Sequence, residues 1–422
     1  MSRMMRRGAL AIGILLMVPQ VSQGVPAFAR KYGFNCNMCH TGFTKLNDFG
    51  QLYRNSGYQI PGQEGLERTV FETAPPLAVR TSVGLFASHR PNANTAGFAI
   101  HGLDVFSAGV LHKNISYLIV YTPRIDEPAA DYTGPADGSA PSQLGGLESA
   151  NLVFSNLVPD AVNVRVGRFE PAYHPFSSKR SYYLLQPYEI YAFTTPSNGF
   201  VFDDNQLGVE VTGHFRRGLF YALGVVNGSG ANPDNSRAKD VYVRASQVFG
   251  RGEGQNAGQR IGLFGYFGWC PTITGDPSPD AAGQGNGRAH AQFHRIGADL
   301  SLNWQTFNLH GMFLQGSDDQ AINLPAVPAD TADYDFTGGF VQLDYAGLMN
   351  NRLVGSAAYN WVTPPDFDEE CTISAFSLLV RYYLGDWTAV NVALHAEYTH
   401  REEGKADKIK TDQLGLLVDV GL

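Results

Sequence analysis

From Leu77 to the C-terminus the chain alternates apolar and polar residues with a period of two, and few folds can use such a pattern over so long a stretch. Val162, Val164 and Val166 alternate with Asn163, Arg165 and Gly167. Leu207, Val209 and Val211 alternate with Gly208, Glu210 and Thr212, and Val390, Val392, Leu394 and Ala396 with Asn391, Ala393, His395 and Glu397. Successive side chains of a strand point to opposite faces, so each segment reads as a strand with one greasy and one wet face. Clusters of Gly, Pro, Asn and Asp separate about sixteen such segments, starting near 77, 98, 114, 146, 161, 205, 218, 239, 259, 290, 305, 334, 350, 371, 386 and 411; an even number suits a single-chain barrel.

The connections also alternate. Tight ones are expected at His112-Lys113, Pro159-Asp160, Arg216-Arg217, Gln305, Met349-Asn350 and Gly385-Asp386, with a looser one at 251–257. Longer ones fall at 90–97, 123–145, 170–204, 228–238, 270–289, 317–333, 363–370 and 401–410. In outer-membrane barrels short turns face the periplasm and long loops the exterior. The expected fold is therefore mainly β: an antiparallel transmembrane barrel of about sixteen strands over residues 71–422, a soluble sandwich being the competing reading. Leu414, Leu416, Val418, Val420 and Leu422 share one face of the last strand, which reads as an outer-membrane insertion signal.

Composition agrees with a wall facing lipid. Charged residues make up 17% of the chain, against about 25% in ordinary soluble domains, while Gly, Tyr and Phe are abundant. A net charge of −8, with no basic cluster after the first few residues, excludes nucleic acid as a partner, because such proteins carry a basic face to replace phosphate counterions.

Residues 1–24 read as a secretory signal, with Arg3, Arg6 and Arg7 before an apolar run from Ala9 to Val18 and the small residues Ser22 and Gly24 before a cut. That run is too short to cross a bilayer, which needs about 20 residues.

Residues 36–40 read Cys-Asn-Met-Cys-His, the C-x-x-C-H pattern of covalent c-type haem attachment. Two thiols at this spacing add to the haem vinyl groups and the adjacent imidazole reaches the iron, so Cys36 and Cys39 are the expected thioether anchors and His40 the axial ligand. A redox-active thiol pair would need a surrounding βαβ pattern, and a zinc site more nearby Cys or His. One amphipathic helix is expected over Thr41–Tyr58, with Phe43, Leu46, Phe49 and Tyr53 on one face and Gly57 as C-cap. The haem module, residues 25–70, is too short to bury a porphyrin alone, since chains of about 40 residues rarely form an independent core. It should dock on the barrel or plug it.

Methionines occur at 1, 4, 5, 17, 38, 312 and 349, so the module offers no Met for the sixth iron position. A barrel histidine, Lys45, Asn47, a tyrosine or an open position remain. The segment 170–204, with His174, Lys179 and Arg180, reads equally as a surface loop or an inward constriction. Asp126, Glu127, Asp131, Asp203, Asp204, Asp318, Asp319, Asp366, Asp368, Glu369 and Glu370 are placed in the outer loops, as a solvated rim or, more sharply, a collector of cations. Cys270 and Cys371 fall at the same rim of an oxidising compartment, where a disulfide between them is an open expectation.

The chain resembles the fused outer-membrane cytochrome-porins of iron-oxidising bacteria. The resemblance rests on Pro26, Phe28, Ala29, Arg30, Gly33, Cys36, Cys39, His40, Phe43, Leu46, Phe49, Gly50, Gly57 and Tyr58, followed by Val164-Arg165-Val166-Gly167-Arg168-Phe169 in a porin-like body. It implies a monohaem protein of the outer membrane that takes electrons from extracellular Fe²⁺ or another reductant and passes them to a periplasmic cytochrome or other soluble carrier. A diffusion porin whose haem is a plug or sensor is the alternative.

Overall fold

The computed structural model describes residues 27–421 apart from 43, 73–76, 92, 124–145, 186–187, 197, 216–217, 231–233, 235–237, 251–257, 272–289, 319–332, 350–351 and 385–390. The signal segment 1–24 and Phe43 thus lie outside the described residues. Two short strands, β1 (His40–Gly42) and β2 (Lys45–Leu46), precede the barrel. The barrel strands are β3 (Leu77–Arg90), β4 (Ala93–His112), β5 (Ile115–Thr122), β6 (Gly146–Val158), β7 (Val162–Phe169), β8 (Gln206–Phe215), β9 (Leu219–Val226) and β10 (Asp240–Phe249). They continue as β11 (Gln259–Pro271), β12 (His290–Trp304), β13 (Phe307–Asp318), β14 (Tyr334–Leu348), β15 (Leu353–Thr363), β16 (Ile373–Tyr383), β17 (Asn391–Glu403) and β18 (Ile409–Gly421). Each pairs antiparallel with its neighbours in the chain, and β18 pairs with β3 from Asp412↔His89 to Gly421↔Arg80, so the sixteen strands close on themselves.

Burial along the strands is inside out relative to a soluble protein. Val166, Leu207 and Leu394 are 41%, 49% and 44% exposed, whereas Arg165, Glu210, His395 and Glu397 are 5%, 0%, 2% and 1% exposed. The apolar faces point outward and the polar faces into the lumen, where buried charges are paired. Arg165 donates to Glu210 at 3.0 Å, Arg244 lies 2.8 Å from Asp299, and Arg381 is paired with Asp419. The soluble sandwich is thereby set aside. Leu414, Leu416 and Val418 lie on the outward face of the closing strand.

One connection differs from the sequence reading. The loop expected at 90–97 is a tight turn, and β4 begins at Ala93, paired back onto Arg90. Residues 93–98 are exposed on both faces, so no burial contrast wrote an alternation there; the backbone ladder alone extends the hairpin.

The segment 170–204 folds inward. Its short helix, Glu189–Ala192, and residues Tyr173, Tyr188, Tyr191, Phe200 and Phe202 pack against lumen-facing Tyr242, Phe264, Tyr266, Phe336 and Phe340. Tyr188 stacks on Phe340 with ring centroids 3.8 Å apart, and its hydroxyl donates to Gln342 at 3.2 Å. Buried aromatic area of this kind dominates packing energies. These strand residues belong to the ends that carry the long loops, so the long-loop half of the lumen is filled.

The N-terminal residues enter the opposite, short-turn end. Helix α1 (Ala27–Tyr32) is followed by a 3₁₀ turn over Cys36–Met38, the β1–β2 hairpin and helix α2 (Asp48–Asn55). The helix expected from Thr41 therefore starts seven residues later. Asn47 caps it, its side chain accepting from Gly50 N at 2.9 Å, and the residues before it pair as a hairpin instead. The C-terminal expectation holds: Gly57 takes φ +69°, Gly57 N donates to Arg54 O at 3.2 Å and Tyr58 N to Tyr53 O at 2.9 Å, a Schellman closure. Phe28, Tyr53 and Tyr58 cluster against Ala108, and Ser155 Oγ donates to Ser56 O at 2.9 Å.

Candidate functional site

Asn47 is the residue on which the Cys36–His40 turn hangs. Its backbone N donates to Cys39 O at 2.9 Å and its side-chain amide to Asn37 O at 3.2 Å and Met38 O at 3.1 Å. Gly50 then packs so closely that a Cβ there would sit 2.2 Å from the Cys39 carbonyl oxygen. Only a glycine lets α2 lie against the turn. These positioning roles have no signature in composition or periodicity.

The two cysteines form no disulfide. Cys36 is buried among Tyr182, Tyr183, Val354, Ala358 and Leu379, while Cys39 is half-buried, its thiol pushed up to about 11 by burial and by Cys36. His40 Nδ1 lies 3.1 Å from Thr44 O, and Thr44 Oγ1 in turn donates to Ser181 O at 2.6 Å. Burial pushes the imidazole down to about 4, so it is neutral at physiological pH. The hairpin and the inward segment thus hold the histidine between them.

Lys45, on β2, reaches the barrel wall and pairs with Asp344 and Asn308, its Nζ 3.2 Å from His310 Nδ1. Lys45 and Asn47, both weighed as ligands from the sequence, are thus engaged elsewhere. A cavity of about 580 Å³ opens beside them, walled by His40, Phe176, Arg180, Tyr182 and His310. A second, of about 440 Å³, adjoins it through Arg180 and Arg260 and is walled by Arg54, Glu170 and His174.

The plug forms the ceiling of both cavities. Glu170 accepts from Arg54 at 2.9 Å, and from Arg180 and Ser177. His174 Nε2 meets Phe202 O, and Ser178 donates to Asp203. Burial pushes His174 down to about 3 and Asp203 up to about 6, while burial and the neighbouring Arg54 push Arg180 down to about 9.

Two expectations about the outer rim change. Asp203, Asp204 and Asp318 are not rim residues: the first two turn inward with the plug, and Asp318 is buried against Arg295 at 2.5 Å. The plug's fold, invisible to an alternation reading, carries Asp203 and Asp204 in, while Asp318 ends β13. Asp366, Asp368, Glu369 and Glu370 do form an acidic rim segment, on a 3₁₀ turn; Asp126, Glu127, Asp131 and Asp319 lie outside the described residues. Cys371 is a free thiol beside Asp368, and the side chain of Cys270 lies outside the described residues.

No family model matches the chain, and no curated protein does. Solved structures match its fold. An anion-selective porin from Comamonas acidovorans superposes with a TM-score of 0.56 at 10% identity, over 83% of this chain and 99% of that one. OprB of Pseudomonas putida gives 0.55 at 12% identity over 84% and 95%, and OmpT of Vibrio cholerae 0.52 at 10% over 83% and 100%. At such identities the likeness is one of architecture: the chain has the closed sixteen-stranded barrel of a porin.

Proposed function

We propose that the protein is an outer-membrane porin-like barrel whose lumen is occupied by a covalently attached c-type haem, and that it passes electrons from an external donor, Fe²⁺ for choice, to a soluble periplasmic carrier. The observation that carries this reading is the position of the Cys36–His40 turn beside a lumen cavity that His40 lines, opposite the ring-packed inward segment.

The residues fit the group. Two cysteines without a disulfide stand on one 3₁₀ turn, and a neutral imidazole follows. His40 Nδ1 meets a backbone carbonyl at 3.1 Å, the kind of contact that orients metal-ligating histidines. Cys36 and Cys39 would hold the porphyrin and His40 would supply an axial nitrogen. His310 is the barrel histidine walling the same cavity. Bound there, the haem supplies a one-electron couple. The chain's own part is to exclude water with Phe176, Tyr182 and Tyr188, and to surround the site with the Lys45–Asp344 and Arg180–Glu170 pairs.

The outward apolar belt supports insertion in the outer membrane, with the short turns and the haem module toward the periplasm. The porin architecture favours a second reading, a diffusion porin with a haem-bearing plug. Stopped-flow mixing of purified protein with Fe²⁺ separates the two. Rapid appearance of the reduced c-type spectrum supports electron transfer; an inert haem together with solute flux through proteoliposomes supports the porin.

A further inference from the structure

Above the haem cavity, Glu170, His174 and Asp203 bring one ligand atom each to within 4.8 Å of one another, inside the lumen. We propose that these three side chains form a binding site for a first-row divalent transition-metal cation. A cation about 2.1 Å from each of three donors separates them by up to about 4.2 Å, so a small inward movement completes the set. The trio is not a group of carboxylates alone. Its imidazole selects Fe²⁺, Mn²⁺, Co²⁺ or Zn²⁺ over Mg²⁺ and Ca²⁺, which prefer all-oxygen sites.

Two further observations point to a missing ligand. His174 Nδ1 and Asp203 Oδ1 are both buried and have no hydrogen-bond partner, and His174 is 9% exposed. Leaving buried polar atoms unsatisfied is unfavourable, and a bound cation would satisfy both. Against the site stands Arg180, which shares Glu170 with Arg54 and Ser177. The cation would displace the Arg180 guanidinium from that carboxylate.

The site deepens the preceding reading, on which its role as the donor's station depends: Glu170, Ser177 and Arg180 wall the neighbouring cavity or touch its walls. The cation site itself does not depend on haem. The test is titration of the full-length, haem-containing protein with Co²⁺ by calorimetry in excess Mg²⁺, which saturates all-oxygen sites on the rim. One equivalent should bind, and His174→Gln and Asp203→Asn should each weaken it by about tenfold or more. Arg180→Gln should tighten it, an effect that a purely structural trio would not produce. Asp203→Asn preserves side-chain shape and the Ser178 contact, so it remains informative if the histidine variant fails to fold. Absence of stoichiometric Co²⁺ binding, or binding unchanged in both variants, overturns the site. If Co²⁺ binds as expected while Fe²⁺ leaves the haem oxidised, the site stands and the electron-transfer reading falls. If Fe²⁺ reduces the haem but Co²⁺ does not bind, the reverse holds.

Discussion

The two halves of the lumen are held together by different physics. Toward the long loops, the 170–204 segment and the barrel wall interlock as tyrosine and phenylalanine rings, with a few buried charges such as Arg295–Asp318 and Asp240 held among them. Toward the short turns, the N-terminal module is fastened by ion pairs and hydrogen bonds such as Lys45–Asp344, Arg54–Glu170 and Thr44–Ser181, and the packing leaves two cavities. One half of the lumen is filled mainly by rings, while the other, more polar half keeps two cavities.

The strongest way to break this contrast is to remove the ring-filled half. Replacing residues 171–204 by a short turn should convert a barrel with little or no conductance into an open pore in planar bilayers. Equal conductance before and after would show that the plug does not seal it. Next comes the polar half. Lys45→Met leaves Asp344 buried without its cation and should cost about 3–5 kcal/mol of module docking, read as faster proteolysis of the N-terminal segment. Adding Asp344→Asn should recover much of the loss.

Acid sharpens the comparison. His174 stays neutral down to about pH 3 in the docked plug but titrates near 6.5 when free, so docking weakens as pH falls below 6.5. Asp203 titrates at about 6 when docked and 3.8 ordinarily, so it acts oppositely between pH 6 and 4. Wild-type docking should therefore lose less with acid over that window than the histidine alone would cost, since burial raises Asp204 and Glu189 as well. In Asp203→Asn it should fall more steeply, by at most about 1.4 kcal/mol per pH unit, seen as cleavage within 170–204. The smallest effect is expected from Tyr188→Phe, which keeps the stack on Phe340 but loses the bond to Gln342, about 1 kcal/mol in thermal unfolding of the plug.

The barrel was legible because its physics is local. Period-two patterning and turn residues placed most strand starts within a few residues of their positions, and the pattern failed at Ala93, where both faces are exposed and carry no burial signal. The candidate site was legible only as chemistry. Cys36, Cys39 and His40 announce themselves by spacing, but Asn47, Gly50 and Thr44 act through backbone contacts that leave no periodic trace. The helix start at Asp48 was missed for a related reason, since Leu46 belongs to an apolar helical stripe and its pairing with His40 is a tertiary choice. The inward turn of 170–204 depends on rings from strands more than a hundred residues away, such as Phe336 and Phe340.

The seam between β3 and β18 has a consequence for the order of biogenesis. The first residues of the described chain sit within a cylinder that the final strand shuts, and Lys45 and Arg54 grip walls formed from residues far downstream. The grip of the module on those residues is therefore complete only once the chain downstream has folded around it, and the seam that shuts the cylinder also fixes the enclosure in which the Cys36–His40 turn sits.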